Sequence, residues 1–162
     1  MNASKFIMTA LVSTALLGGA VQVHAADELN VVPGLSIAGA PLALHGYDPV
    51  AYFTQGKPAR GSDKLVHVYQ GAAYRFSKQE HLESFKKNPA RYTPQFGGFC
   101  AYGVSVGKKF DGDPQLWKIE NDKLYVNLNE EIYETFLEDL DDNIDKAVSN
   151  WTDIEHTAAK DL

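Results

Sequence analysis

Apolar and polar positions divide the chain into four stretches. The first is a run without charge, Phe6 to Val21, preceded by Lys5 and ended by the polar Ala26-Asp27-Glu28. Residues 26–43 follow. Pro33, Gly34, Gly39 and Pro41 rule out a long helix there and predict an extended lead-in. Residues 44–152 carry the periodic patterns of one folded domain, and residues 153–162 lose them, which predicts a loose tail.

Within the domain, Asp48-Pro49 reads as a helix cap followed by proline at the first helical position. The short helix would bury Val50, Tyr52 and Phe53 and end near Gly56. Leu65 to Tyr69 alternates as a strand, with Leu65, His67 and Tyr69 on one face and Val66 and Val68 on the other. Gln70-Gly71-Ala72 turns it into a return strand, Ala73 to Phe76. Ser77-Lys78-Gln79-Glu80 has the form of a capping box. The helix behind it would bury Leu82 and Phe85 and stop before Pro89. Pro89 to Tyr92 predicts a further short turn, and Gly97-Gly98 implies positive φ or close backbone approach. Trp117 to Ile119 and Leu124 to Asn127 read as two strands joined at Asn121-Asp122. Asn129 then caps a last helix with Ile132, Tyr133, Phe136, Leu137 and Leu140 at helical spacing, running on through Ile144, Val148 and Trp151. The fold class is α+β, with short antiparallel hairpins packed against helices and a C-terminal helix.

Charge and composition narrow the function. The apolar run ends at Val23-His24-Ala25, the layout of a secretory signal peptide (residues 1–25) cleaved after Ala25. It is shorter than the ~20 apolar residues of a spanning helix, and no later segment is apolar enough to span. The expected location is therefore periplasmic or secreted. The formal net charge is −6, and removing Lys5 with the signal makes it more negative. The excess acid lies mostly between Glu130 and Glu155, on a solvated helix face. Such a chain is unsuited to nucleic acid or to anionic lipid. Both methionines, Met1 and Met8, lie in the signal, which excludes a methionine-rich copper site from the remainder.

The single cysteine, Cys100, has no intrachain disulfide partner. It is open to three readings: a small buried hydrophobe, a soft-metal ligand, or a nucleophile. His45, His67, His81 and His156 remain after the signal. None forms an i, i+4 pair and none adjoins Cys100, so a site of Cys100 with histidines needs the fold to assemble it. A thiol enzyme would need a histidine base and an orienting carboxylate such as Asp48. The dense tyrosines and phenylalanines point to a ligand pocket lined by Tyr47, Asp48 and Tyr102 near Cys100. Asp111-Gly112-Asp113 lacks the spacing of a calcium loop, and phosphate-loop and zinc-helix motifs are missing.

Three segments carry a family resemblance. Asp48-Pro49-Val50, then Tyr69-x-Gly71-x-x-Tyr74-x-Phe76, then Phe85-x-x-x-Pro89-x-x-Tyr92 resemble the YHS domain, related to the TRASH group of treble-clef-like metal modules. The match covers Gly46 to Tyr92, about a third of the chain. Gly46-Tyr47-Asp48-Pro49-Val50-Ala51-Tyr52-Phe53 and Gly97-Gly98-Phe99-Cys100-Ala101-Tyr102 look like the stand-alone exported YHS proteins of bacteria. The resemblance implies a treble-clef-like hairpin–helix core. Metal-binding relatives place cysteine, methionine, cysteine and cysteine where this chain has Ala51, Phe53, Ser77 and His81, so of those positions only His81 keeps a soft-metal donor. The expectation is a periplasmic, non-enzymatic binding protein for a soft metal ion, copper or zinc, or a small ligand, through Cys100 with His81, His45 and His67. The alternative is a structural or protein-interaction domain with a lost metal site, acting on a periplasmic protein. A cysteine-dependent enzyme ranks third.

Overall fold

The computed structural model describes residues 25–162; the expected signal peptide lies outside them except for its last residue, Ala25. The chain opens with a helical turn, α1 (Ala25–Glu28), and two short strands, β1 (Val31–Val32) and β2 (Leu42–Ala43). Helix α2 (Ala51–Gln55), the hairpin β3 (Ser62–Tyr69) and β4 (Ala72–Phe76), and helices α3 (Gln79–Lys87) and α4 (Pro89–Tyr92) follow. After α5 (Ala101–Ser105) comes a second hairpin, β5 (Asp113–Glu120) and β6 (Lys123–Asn127), then α6 (Glu130–Glu138) and α7 (Leu140–Ile154). The fold is α+β, as the patterning predicts.

Local chemistry accounts for the turns. Gln70 and Gly71 (φ 49° and 84°) reverse the first hairpin, and Asn121 and Asp122 (φ 50° and 58°) reverse the second, the left-handed pair a two-residue hairpin turn needs. Gly56 ends α2 at φ 62°. Asn129 caps α6 by accepting the Ile132 amide at 3.0 Å.

The lead-in does more than extend. Its two strands join the first hairpin in a four-stranded sheet of order β1-β2-β4-β3, with β2 parallel to β4. Leu29 and Val31 pack on the core around Phe85. Gly97 admits this segment. Its φ is +61°, and a Cβ there would lie 1.9 Å from the Glu28 carbonyl oxygen. The Asn30 amide then donates to the Gly97 carbonyl at 3.0 Å.

Two further expectations are corrected. The single last helix is two, broken at Asp139 (φ −137°, ψ 62°). Asn143, buried, donates to the Phe136 carbonyl at 3.1 Å and so satisfies a group the break leaves open. The tail is not loose: Ile154 is buried, and Leu162 packs on the cluster that holds Phe96, Phe99 and Phe136. Lys109 explains why. Its ammonium donates to the carbonyls of Asp27, Glu155 and Thr157, tying the first described residues to the last helix and tail through one buried cation.

Phe85 centres the core between the first hairpin and α3. Its ring meets Tyr74 at 5.0 Å, Phe76 at 5.1 Å, Tyr69 at 6.0 Å and His67 at 6.1 Å. Each such pair contributes about 0.5–1.5 kcal/mol beyond area burial.

Candidate functional site

Asp48 is the most constrained polar residue of the chain's first half. It sits at the entry to α2 with no exposed surface. Its Oδ1 accepts the Val50 amide at 2.9 Å, but α2 starts at Ala51 with Val50 before it and no side-chain cap, so Asp48-Pro49 forms a turn leading into the helix and not the expected cap. Its Oδ2 accepts three donors: the Ser77 amide at 2.8 Å, the Ser77 hydroxyl at 2.6 Å and His81 Nδ1 at 2.6 Å. Four donors thus face one carboxylate, whose two oxygens have the acceptor capacity for all of them.

This overturns the capping box. Ser77 does not cap α3; the helix is preceded by Lys78 and has no side-chain cap. The hydroxyl instead turns inward and donates to the buried carboxylate, a charge-assisted bond, while solvent can satisfy the helix amide it would otherwise have accepted. Glu80 is exposed on the first turn.

His81 is buried on α3, and its second nitrogen, Nε2, meets the Thr54 hydroxyl at 3.1 Å. Thr54 also donates to the Val50 carbonyl at 3.0 Å. Aspartate, histidine and hydroxyl thus stand in line, the order of a nucleophilic triad. Yet the Thr54 hydroxyl closes the last turn of α2, where its other partner is the Val50 carbonyl. A developing oxyanion needs amide donors instead. Both ring nitrogens of His81 are engaged, so a metal could take this imidazole only by displacing Asp48 or Thr54.

Cys100 lies elsewhere, with no exposed surface. Its backbone bridges to Val126, and its amide donates to the Phe110 carbonyl at 2.9 Å. The sulfur caps α5, accepting the Gly103 amide at 3.3 Å, and faces Asn127 Oδ1 at 3.7 Å. That same Oδ1 accepts the Tyr102 amide at 3.1 Å. Burial pushes the Cys100 thiol above its ordinary value, with backbone hydrogen bonds opposing in part. The thiolate that metal binding or nucleophilic attack requires is disfavoured.

Compared with family models, with curated proteins and with solved structures, the chain matches none.

The remaining expected site residues have separate surroundings. His45 lies in a left-handed turn with Nε2 2.9 Å from the exposed Asp111. His67 faces the Phe85 ring edge-on from β3. Tyr47 lies under the Arg60 guanidinium at 4.2 Å, and Tyr102 packs on the cluster around Phe136. The expected gathering of Cys100 with His81, His45 and His67 is not formed. Among the described residues no three His, Cys, Asp or Glu side chains group as a metal site would. Tyr47, Asp48 and Tyr102 are each engaged within the protein. A lone thiol beside an amide side chain does not fit zinc, which takes four N, S or O donors, and no second soft donor is among the Cys100 partners for copper(I).

Sequence reading missed Asn127, Thr54 and Lys109. Asn127 stands at the end of a strand and Thr54 at the end of a helix, where amide and hydroxyl residues are ordinary. Lys109 follows another lysine, and nothing in the pattern separates the buried one from the exposed one. Among the described residues no helix is long and apolar enough to cross a membrane.

Proposed function

We propose that this chain is an exported, non-enzymatic module of the YHS type, serving as a structural or protein-interaction domain. In this reading a hydrogen-bonded carboxylate replaces the metal centre. One observation carries the reading. Ser77 and His81, at two positions where metal-binding relatives keep cysteine, both bond to the sealed Asp48 carboxylate. The node thus ties the α2 entry, the end of β4 and the start of α3 together without an ion. Export rests on the charge-free stretch after Lys5 and the small residue Ala25. The expected partner is another protein of the same compartment.

Two other readings have less support. Soft-metal binding through Cys100 would require the thiol to ionise against its burial and to leave the Gly103 amide. A thiol enzyme would require a base, and no histidine is among the Cys100 hydrogen-bond partners.

Titration of the purified protein with copper(I) and with zinc tests the proposal. Neither ion should bind stoichiometrically. One-to-one binding that Cys100→Ala abolishes would overturn the reading in favour of a metal module.

A further inference from the structure

The second hairpin repeats the first. Residue pairs of the first ladder have counterparts in the second: Ser62–Phe76 in Asp113–Asn127, Val66–Arg75 in Trp117–Val126, and Tyr69–Ala72 in Glu120–Lys123. Both ladders shift register at the same place. A nine-residue helix follows each, α3 and α6, with Phe85 and Phe136 at matching positions, both fully buried. The parallel contact of Leu42 with Ala73 recurs as Pro94 with Leu124. Gly61 and Gly112 match as well. A Cβ on Gly61 would lie 2.4 Å from Arg75 Cβ, and one on Gly112 would lie 2.5 Å from Val126 Cγ2.

One matched pair differs in kind. Val126 is fully buried in apolar packing with Leu44 and Tyr52. Arg75 holds the same strand position in the first hairpin and is only partly buried. It lines a cleft of about 180 Å³ between the strand and the lead-in, together with Val32, Leu35 and Leu42. Its Nε is sealed from solvent and has no hydrogen-bond partner. Among the described residues its guanidinium enters no ion pair, whereas Arg91 pairs with Asp122 at 3.0 Å and Arg60 donates to the His45 carbonyl at 3.0 Å. A partly buried cation without an acceptor costs free energy. Packing does not demand it, since valine serves at the matched position.

The loop beside the cleft is the second sign of a ligand. Leu35 and Ile37 are 76 % and 78 % exposed, the most open large apolar side chains among the described residues. The loop that carries them is closed on itself. The Ser36 amide donates to the Ala40 carbonyl and the Gly39 amide to the Ser36 carbonyl, both at 2.9 Å. A fixed turn therefore holds apolar side chains in water next to a guanidinium that lacks an anion.

We propose that this cleft binds a free monocarboxylate carried on a short aliphatic chain. A carboxylate matches the planar fork of a guanidinium, two oxygens against two N–H groups. The aliphatic chain lies against Val32, Leu35 and Leu42. The volume is below the ~300–1,000 Å³ of drug-sized sites, which selects a short chain. The site shares no residue with the Asp48 node and stands independently of the module reading.

Calorimetric titration of the purified protein with hexanoate tests the assignment, with hexanol as the uncharged probe of equal chain. Saturable binding of hexanoate and none of hexanol is expected. Arg75→Val installs the residue of the matched position and should abolish binding. Arg75→Lys keeps the charge but loses the fork and should weaken binding about tenfold. Leu35→Ser changes an exposed loop residue, leaves the fold intact and should weaken binding about fivefold through lost apolar contact. No saturable binding of hexanoate, equal binding of hexanol, or wild-type affinity in Arg75→Val would overturn the proposal. Tighter binding of Nα-acetyl-leucine than of hexanoate would also overturn it, because the cleft would then suit the C-terminal carboxylate of a partner chain. The metal titration tests the module reading separately, so either can fail alone.

Discussion

At the scale of single residues, the chemistry is set by what burial does to Asp48 and Cys100. The turn signal of Asp48-Pro49 ahead of α2 is legible because it is local: one side chain reaching an amide two residues on. The bonds from Asp48 to Ser77 and His81 span 29 and 33 positions, and no spacing rule reaches so far. Cys100 is a similar case. Its small and aromatic neighbours suggest burial, but its work as a helix cap depends on where α5 begins. Cys100→Ser keeps a capping oxygen and should cost under about 1 kcal/mol, while Cys100→Ala should cost about 1–2 kcal/mol in chemical denaturation.

The raised thiol has a consequence at alkaline pH. Between the ordinary value of 9.0 and the higher value in the fold, the unfolded chain has lost the Cys100 proton and the folded chain has not. The unfolded state then binds fewer protons, so stability falls as pH rises through that window. Tyr52 and Tyr74, both raised from 10.0, continue the fall above it. Lys109, lowered from 10.5 chiefly by burial, acts in the opposite direction. Melting temperatures across pH 9 to 10 should decline in the wild type and be flatter in Cys100→Ser; equal slopes would show that the thiol titrates as freely folded as unfolded.

At the scale of elements, hairpins and helices were readable wherever turn chemistry was explicit, as at Gln70-Gly71 and Asn121-Asp122. The failures fall where a long-range contact decides. Nothing in residues 129–151 marks the break at Asp139, since the apolar spacing runs through it. The prolines and glycines of the lead-in predict an extended segment, but its place as strands beside β4 depends on a parallel pairing, which no hairpin signal announces. Gly97 carries half of that information. Its conformation and the 1.9 Å approach of the Glu28 carbonyl leave no room for a methyl group. Gly97→Ala should cost at least about 2 kcal/mol, through left-handed strain and expulsion of the segment. It should also speed hydrogen exchange at the Asn30 amide. A variant of wild-type stability and exchange would mean that the segment is not seated there.

At the scale of the whole molecule, Lys109 joins the first described residues to the C-terminal segment. One ammonium receives carbonyls from residue 27 and from residues 155 and 157, and the rings of Phe99 and Trp151 lie 5.3 and 5.1 Å from it. Lys109→Met keeps the apolar stem but leaves three carbonyls without that donor. Stability should drop by about 2–4 kcal/mol, with each unsatisfied buried group costing roughly 1–3. Limited proteolysis should then cut first near both termini; a cut pattern identical to the wild type would contradict the clasp.

The proposed function makes the Asp48 node a structural support and not a working site. Polar clusters kept for function tend to be destabilising, so their removal often raises stability. A structural node behaves oppositely. Asp48→Asn keeps the shape but turns an amide donor toward the donors of Ser77 and His81. The unfolding free energy of this variant in urea is therefore the most direct measurement. A loss of about 3 kcal/mol is predicted, as for one broken partner of a buried pair. Stability equal to or above the wild type would contradict the account and return Asp48, His81 and Thr54 to consideration as a functional site.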